Sequence, residues 1–588
     1  MRMVGVAVPC GTARVQPRCF STQRRQTSRR VVEQYTNTAP SLRFGRITRI
    51  PKKMGHIAVR VEAMQGGACF EETKKSTLLC SSLTAPSVHG MIEEAKEAHM
   101  AGADVVELRI DFLQEFRPEQ DLEVLLREIE LPCIVTYRPS WEGGQYTGED
   151  APRLAALKLA MELGAAYVDV EFLIAPVFMA AIQSADGKTY STKVIVSSHD
   201  YESTACSEDL KKLIQAIRMV GADVVKFATT GTDISDGSRV LQVVREASRD
   251  GPVIGLCMGE RGQSTRILAP KYGGYLTFGA LSPERQSAPG QPTIHQLKNL
   301  YRLDTQSERT KVLGIVGNPV GHSKSPAIHN GALIQSGLDY VYIPLLVDDF
   351  GRFFESLPDD DWVGLSVTIP HKTAALEAAE TADEVAQRIA AANTLVRQDD
   401  GGFKAYNTDW LAAISSIEQA MIEHGMQVDD CSPLKGKTVV VIGAGGAGRA
   451  LAFGASTKGA HVVIANRTAD KAIELAGQLN PKGTGVSLND LKNGSVAGDV
   501  LVNTTSVGMQ PHDDESPVPK EVTSTFSVVF DAVYTPLHTK LLRDAAESGA
   551  VVVTGEKMFV GQAAEQYRLF TGHEPDMHLM TDIVLGRK

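Results

Sequence analysis

Closely spaced cysteines are missing from this chain. Its eight cysteines, at positions 10, 19, 69, 80, 133, 206, 257 and 431, include no pair two residues apart. That excludes a zinc ribbon or dithiol redox motif, leaves no metal centre to expect, and points to reduced, mostly buried thiols. No run of 18 or more apolar residues occurs, which excludes a membrane-spanning helix. Low-complexity tracts are absent, and 43% hydrophobic with 22% charged residues is the composition of a chain with sizeable cores. Acids are nearly absent from the first 60 residues, where Glu33 stands against thirteen Lys and Arg. The remaining 528 residues therefore carry a net charge of -22. So acidic a body excludes nucleic acid and anionic membrane as partners and leaves small molecules.

The basic, Ser/Thr-seeded segment lacks a central apolar run, so residues 1–70 read as a disordered transit peptide, not a secretory signal. Prolines at 9, 17, 40 and 51 favour a plastid over a mitochondrion. A disordered basic arm on a cytosolic protein is the alternative. The length of 588 residues predicts three or four domains, or fewer if one is a barrel.

Over 76–302 short apolar strands alternate with amphipathic helices. The strands are expected at 77–84, 105–111, 133–139, 167–172, 194–200, 224–229, 253–258 and 275–281. Eight Val- and Ile-rich strands separated by helices predict a (β/α)8 barrel with its reacting groups at strand C-terminal ends. A polar stretch, LDTQSERTK (303–311), reads as a linker. The α/β rhythm then restarts in a smaller domain over 312–430 and a nucleotide-binding domain over 431–555. Residues 556–588 are expected to form helices returning to the smaller domain. The fold class is α/β throughout.

Lys226, inside ADVVKFATT on the sixth barrel strand, is the first candidate. A buried ammonium is either paired or has its pKa lowered. Lowering it to near 7–8 costs on the order of 4 kcal/mol and yields the neutral amine that attacks a ketone. A structural lysine tied to a barrel carboxylate is the other reading. Neighbouring strand ends carry His199, Glu107, Arg109, Arg138 and Glu142, and convergence of such ends favours the reactive amine.

The motifs ELRID, TYRP–WEGG, SSHD, VKFA and SAPGQ resemble the type I 3-dehydroquinate dehydratases across 76–302. The resemblance implies that Lys226 forms an imine with the substrate ketone, that His199 relays protons and that Glu142 orients it. It further implies that Arg266 grips the substrate carboxylate, with Glu107, Arg109 and Arg138 at hydroxyls. Ser287 and Gln291 would belong to a closing loop.

A second candidate begins at Gly443, Gly445 and Gly448, a GxGxxG between a strand and a helix. Such glycines let a pyrophosphate approach a helix N-terminus. The whole turn, with Ala444, Gly446 and Ala447, is a candidate cofactor cradle, and Thr504 and Gly555 are placed beside it. The next strand ends in Asn466–Arg467–Thr468 instead of an acid, which selects NADP over NAD because a guanidinium attracts the 2′-phosphate.

GHSKSPAIHN, SVTIPHK, ANT, AYNTDW, NTTSVGM and GQAAEQ together resemble the shikimate dehydrogenases over about 312–585. The resemblance implies that Lys372 is the acid/base with Asp409 paired to it, and that Ser323 and Ser325 bind the carboxylate. It places Thr368, Asn393, Asn407, Asp409 and Gln562 at ring hydroxyls, with Gln566 and Tyr534 nearby. The fused order resembles the plant bifunctional enzymes, which implies 3-dehydroquinate, 3-dehydroshikimate and shikimate as the small molecules handled. Two alternatives remain: a quinate-preferring relative, and an imine-forming aldolase barrel fused to a nucleotide-sensing module. The oligomeric state is open, a monomer being sufficient.

Overall fold

The computed structural model describes residues 77–183, 189–358, 360–426 and 432–587. The transit-peptide expectation lies outside these residues. The first unit holds eight parallel strands: β1 (Leu78–Leu83), β2 (Val105–Arg109), β3 (Cys133–Thr136), β4 (Tyr167–Glu171), β5 (Lys193–His199), β6 (Val224–Thr230), β7 (Val253–Met258) and β8 (Leu276–Phe278). They pair in the order β7-β6-β5-β4-β3-β2-β1-β8. The remaining seam is bridged by the main-chain bond from Tyr275 N to Val253 O at 2.9 Å.

Side chains two apart on a strand share a face, so each barrel strand fills the lumen in layers. An apolar floor is laid by Val105, Ile134, Tyr167, Ile195, Val224, Ile254 and Leu276. Two residues further along stand Glu107, Thr136, Asp169, Ser197 and Lys226, all buried. Another step of two reaches Arg109, Arg138, Glu171 and His199 at the strand ends. The floor keeps water away from below, and the polar layers face the barrel mouth.

The stretch 303–311, read as a linker, is packed against the barrel. Gln306 is buried and donates to Ile267 O and Tyr301 O, while Glu308 O accepts from Lys271. Its backbone-binding amide docks the connection onto the barrel. Beyond it lies a mixed sheet of β9 (Lys311–Gly317), β10 (Tyr340–Leu346), β11 (Trp362–Val367), β12 (Thr381–Ala382), β13 (Thr394–Arg397) and β14 (Phe403–Tyr406), ordered β10-β9-β11-β13-β14-β12.

A third sheet is all parallel: β15 (Thr438–Ile442), β16 (His461–Asn466), β17 (Thr484–Ser487), β18 (Val500–Asn503), β19 (Val528–Asp531) and β20 (Val551–Val553). Its order, β17-β16-β15-β18-β19-β20, reverses direction between β15 and β18, where dinucleotides bind in such sheets. The helix Gly555–Thr571 then leaves this sheet and returns to the second one, where Gln566 bonds Ser366, Asn393 and Thr394. No helix among the described residues is long and apolar enough to cross a membrane.

Candidate active sites

At the barrel site, Lys226 Nζ lies 2.8 Å from Asp169 and 3.4 Å from Glu107. Burial pulls the amine's pKa down, but the Coulomb attraction of Asp169 and Glu107 more than offsets it and the net movement is upward. Of the two readings the sequence left open, the neutral amine is not the one this arrangement favours: the carboxylates beside Lys226 favour its charged form. Phe278 lies below it, the ammonium 5.0 Å from the ring centroid. Burial opposes ionisation of Glu107, yet Lys226 and Arg109 hold its carboxyl down at about 2.

His199 behaves differently. Burial, with Arg138 and Lys226 nearby, holds its imidazole well below the usual histidine range, so it is neutral and able to take a proton. Its Nδ1 is buried without a hydrogen-bond partner, 3.6 Å from Glu142, whose carboxylate accepts from the His199 backbone N–H at 3.3 Å. Burial pushes Glu142 up to about 7 despite Arg138. Glu142 sits in a short turn, Ser140–Glu142, just past β3.

Glu107, Arg109 and Arg138, expected at substrate hydroxyls, are engaged with the protein. Glu107 accepts from Ser82 and Thr136 as well as Lys226. Arg109 forms a two-pronged pair with Asp111. Arg138 donates to Asp169 and Glu171 at 2.7 Å each and to Ser197 at 2.9 Å. Sequence reasoning missed Asp169, Glu171 and Asp111. The available signal was YVDVE, where two carboxylates spaced by two point into a strand interior that is otherwise apolar.

Arg266, in the short helix Ser264–Ile267, is 3% exposed and makes no side-chain hydrogen bond or ion pair among the described residues; its Nε is orphaned. Burial alone brings its guanidinium down to about 10. A buried cation without an anion is costly, and the position is suited to an incoming carboxylate. Nearby, Gln291 is buried with its Nε2 unpartnered, and its Oε1 accepts from Ser287 N and Oγ.

In the second site Lys372 and Asp409 each open a helix, Lys372–Ala378 and Asp409–Glu423, and meet at 2.5 Å. Ser325 N donates to Ser323 Oγ at the start of the helix Ser325–Gln335. Thr368 follows β11 directly. Asn393 is held by the protein: its amide donates to Thr408 Oγ1 and accepts from Thr408 N and Thr394 Oγ1. Asn407 donates to Ala391 O and accepts from Asp409 N. Gln562 donates to Phe559 O, and Tyr534 stacks on Phe559 with ring centroids 4.4 Å apart. Asn393, Asn407 and Gln566 thus brace the segment that carries Asp409.

The Gly-rich turn passes the test of space. Gly443 has φ +111°, which favours glycine, and a Cβ there would stand 2.6 Å from Thr504 Oγ1. A Cβ on Gly448 would meet Gly443 O at 2.2 Å, so the helix Gly446–Thr457 can pack on β15 only with glycine there. Gly445 faces open space, leaving room for a phosphate. Thr504 ties to Ile442 O at 2.7 Å, and a Cβ on Gly555 would meet Val533 O. Ala444 and Ala447 complete the turn. A Cβ on Gly446 would lie 3.2 Å from Lys372 Cδ, so the cradle and the Lys–Asp pair share one cleft. Asn466 bonds Thr468 O, and Arg467 is exposed with no partner among the described residues. These groups fit a dinucleotide with a 2′-phosphate.

The chain matches the family model of type I 3-dehydroquinase over residues 79–308. It also matches the shikimate dehydrogenase substrate binding domain over 315–395, shikimate/quinate 5-dehydrogenase over 427–512 and the shikimate 5′-dehydrogenase C-terminal domain over 555–585. It is 49% identical over 505 residues to the chloroplastic bifunctional 3-dehydroquinate dehydratase/shikimate dehydrogenase of Arabidopsis thaliana, covering 85% of this chain and 83% of that protein. Over 283 residues it is 38% identical to the shikimate dehydrogenase (NADP(+)) of Methanosarcina barkeri, covering 47% of this chain and 98% of that one. A crystal structure of shikimate 5-dehydrogenase from Thermus thermophilus with NADP(H) and shikimate covers 47% of this chain and all of that one, at 33% identity and TM-score 0.40.

Proposed function

Since the chain belongs to the bifunctional 3-dehydroquinate dehydratase/shikimate dehydrogenase family, we propose residue roles for two consecutive reactions: dehydration of 3-dehydroquinate to 3-dehydroshikimate in the barrel, then reduction to shikimate between the second and third sheets. The observation that carries the first half is the placing of Lys226 between Asp169 and Glu107 in the same barrel as a His199 whose Nδ1 has no hydrogen-bond partner and a buried, unpaired Arg266. Arg266 anchors the substrate carboxylate by charge-assisted hydrogen bonds. Lys226 attacks the ketone, and the two protons its nitrogen gives up, relayed by His199, leave with the ketone oxygen as water, giving a cationic imine. That cation draws electrons from the adjacent C–H bond, His199 takes the proton, and the neighbouring hydroxyl leaves as water. Asp169 and Glu107 stabilise positive charge on the Lys226 nitrogen before and after imine formation, so the two carboxylates serve both states. Hydrolysis frees the product and the lysine.

In the second half, NADPH held on the Gly443–Gly448 turn supplies the hydride. Lys372 donates a proton to the oxygen on which negative charge grows, and Asp409 holds the ammonium in place. Ser323 and Ser325 take the carboxylate, Thr368 and Gln562 the hydroxyls, and Arg467 the 2′-phosphate. The basic composition of residues 1–60 and the chloroplastic relative support a plastid destination.

The test is a double dissociation. Lys226→Ala abolishes dehydration and borohydride-trapped adduct while 3-dehydroshikimate reduction persists; Lys372→Ala does the converse. Loss of both activities in either folded variant, or an adduct mapped to a peptide without Lys226, refutes the assignment.

A further inference from the structure

We propose that Asp348 is a positioning residue shared by the two active sites, through which occupation of the barrel tightens substrate binding in the reductase. The inference rests on the two-site reading above. Asp348 follows β10, and its carboxylate receives three bonds from opposite sides. Arg261 of the barrel donates from Nε at 2.6 Å and from a terminal nitrogen at 3.0 Å, a two-pronged grip. Asn318 donates from Nδ2 at 2.9 Å.

Each partner belongs to a loop that serves a different substrate. Asn318 immediately follows β9 and begins the loop leading to Ser323 and Ser325. Its backbone N–H bonds Ile369 O, between Thr368 and Lys372. Arg261 lies in the turn Glu260–Gly262. Gly259 N on one side of that turn donates to Pro289 O of the SAPGQ loop at 3.0 Å, and Gln263 on the other side donates to Gly290 O at 3.4 Å. Gln263 O also accepts from Arg266 N at 3.1 Å. One turn therefore touches the closing loop, the carboxylate anchor and, through Arg261, the carboxylate loop of the next site.

The pair is not the sole fastening of the barrel to the second sheet. That sheet is fastened at its other end, where Lys271 meets Asp361 at 2.7 Å and Trp362 Nε1 donates to Tyr272 OH at 3.1 Å. Those contacts remain when Arg261 or Asp348 is replaced, and we assign a positional role to their pair. When a ligand carboxylate engages Arg266, the turn loses freedom, Asp348 is held more firmly and the Asn318 loop is ordered in advance of its substrate. Ordering by one ligand lowers what the next must spend. Because the pair is partly exposed, with Arg261 at 32% and Asp348 at 41%, the effect is about two- to fivefold.

The experiment fixes the barrel in its occupied state with 3-dehydroquinate and borohydride, then measures shikimate oxidation with NADP+. In the wild-type protein trapping lowers KM for shikimate about two- to fivefold with kcat unchanged. In Arg261→Ala and Asp348→Asn trapping leaves KM unmoved. An unchanged or raised KM in the trapped wild type, or the same fall in both variants, overturns the coupling while leaving the two activities in place. Failure of the wild type to trap overturns the two-site reading, and the coupling with it.

Discussion

Replacing Arg266 with methionine should move stability and activity in opposite directions. Burial, offset by no anion, lowers its guanidinium to about 10. At 1.36 kcal/mol per pKa unit that drop is about 3 kcal/mol against the folded barrel. The folded value lies below the unfolded one, so the penalty is present in full below pH 10 and lifts as the pH rises above it. Methionine removes the charge and refills most of the space, at about 1–2 kcal/mol for imperfect packing. The net gain is about 1–2 kcal/mol, or about 2–8 °C in the barrel's melting transition at 2–4 °C per kcal/mol. Removing the partner of a desolvated substrate carboxylate costs about 2–5 kcal/mol, which is about 30- to 5000-fold in kcat/KM for dehydration. Differential scanning calorimetry at pH 7.5 and steady-state dehydration assays read the two effects. A variant that melts lower than wild type and keeps kcat/KM within about threefold would refute the reasoning, because Arg266 would then be a structural group.

Two further outcomes follow from neighbouring charges. Glu142 is pushed up to about 7 from 4.5, chiefly by burial, so between those values the folded state holds a proton that the unfolded state has lost, and stability falls as pH rises. Glu142→Gln should match wild type in chemical denaturation at pH 4 and exceed it at pH 8 by up to about 3 kcal/mol; equal stability at both would remove the buried-acid reading. Arg467→Ala should cost about 10- to 100-fold in kcat/KM with NADPH and leave NADH within about twofold, as expected for losing a charge-assisted bond to phosphate. An equal loss with both cofactors would place Arg467 elsewhere.

The barrel strands were legible because Val and Ile runs such as VIGLCM and VVKFATT have one physical solution, a strand buried on both faces. Lys226 and His199 could be singled out because charge on such a strand is anomalous. The charge state of Lys226 was not legible: it is set by Asp169, 57 positions away, whose strand YVDVE also reads as an ordinary alternating pattern. The same limit applies to Asn393 and Gln566. Their residue types suit substrate hydroxyls, and only the tertiary arrangement reveals that their amides also hold Thr408, Ser366 and Thr394. Within 303–311 the polarity marked a connection, but it could not show that Gln306 finds buried carbonyls as partners. The role proposed for Arg467, in contrast, comes from local sequence, since in such sheets the residue at the end of the second strand is the one expected at the ribose.

The return of the Gly555–Thr571 helix to the second sheet sets an order of assembly. A barrel made of neighbouring strand pairs can close as soon as its own residues have left the ribosome. The reductase half must wait, because Gln566 and Tyr567 supply contacts that Ser366 and Ser336 lack until the last turns of the chain are synthesised. Synthesis at about 5–20 residues per second gives the dehydratase a head start of about 15–60 s, during which its folded surface can template the docking of the strands that follow.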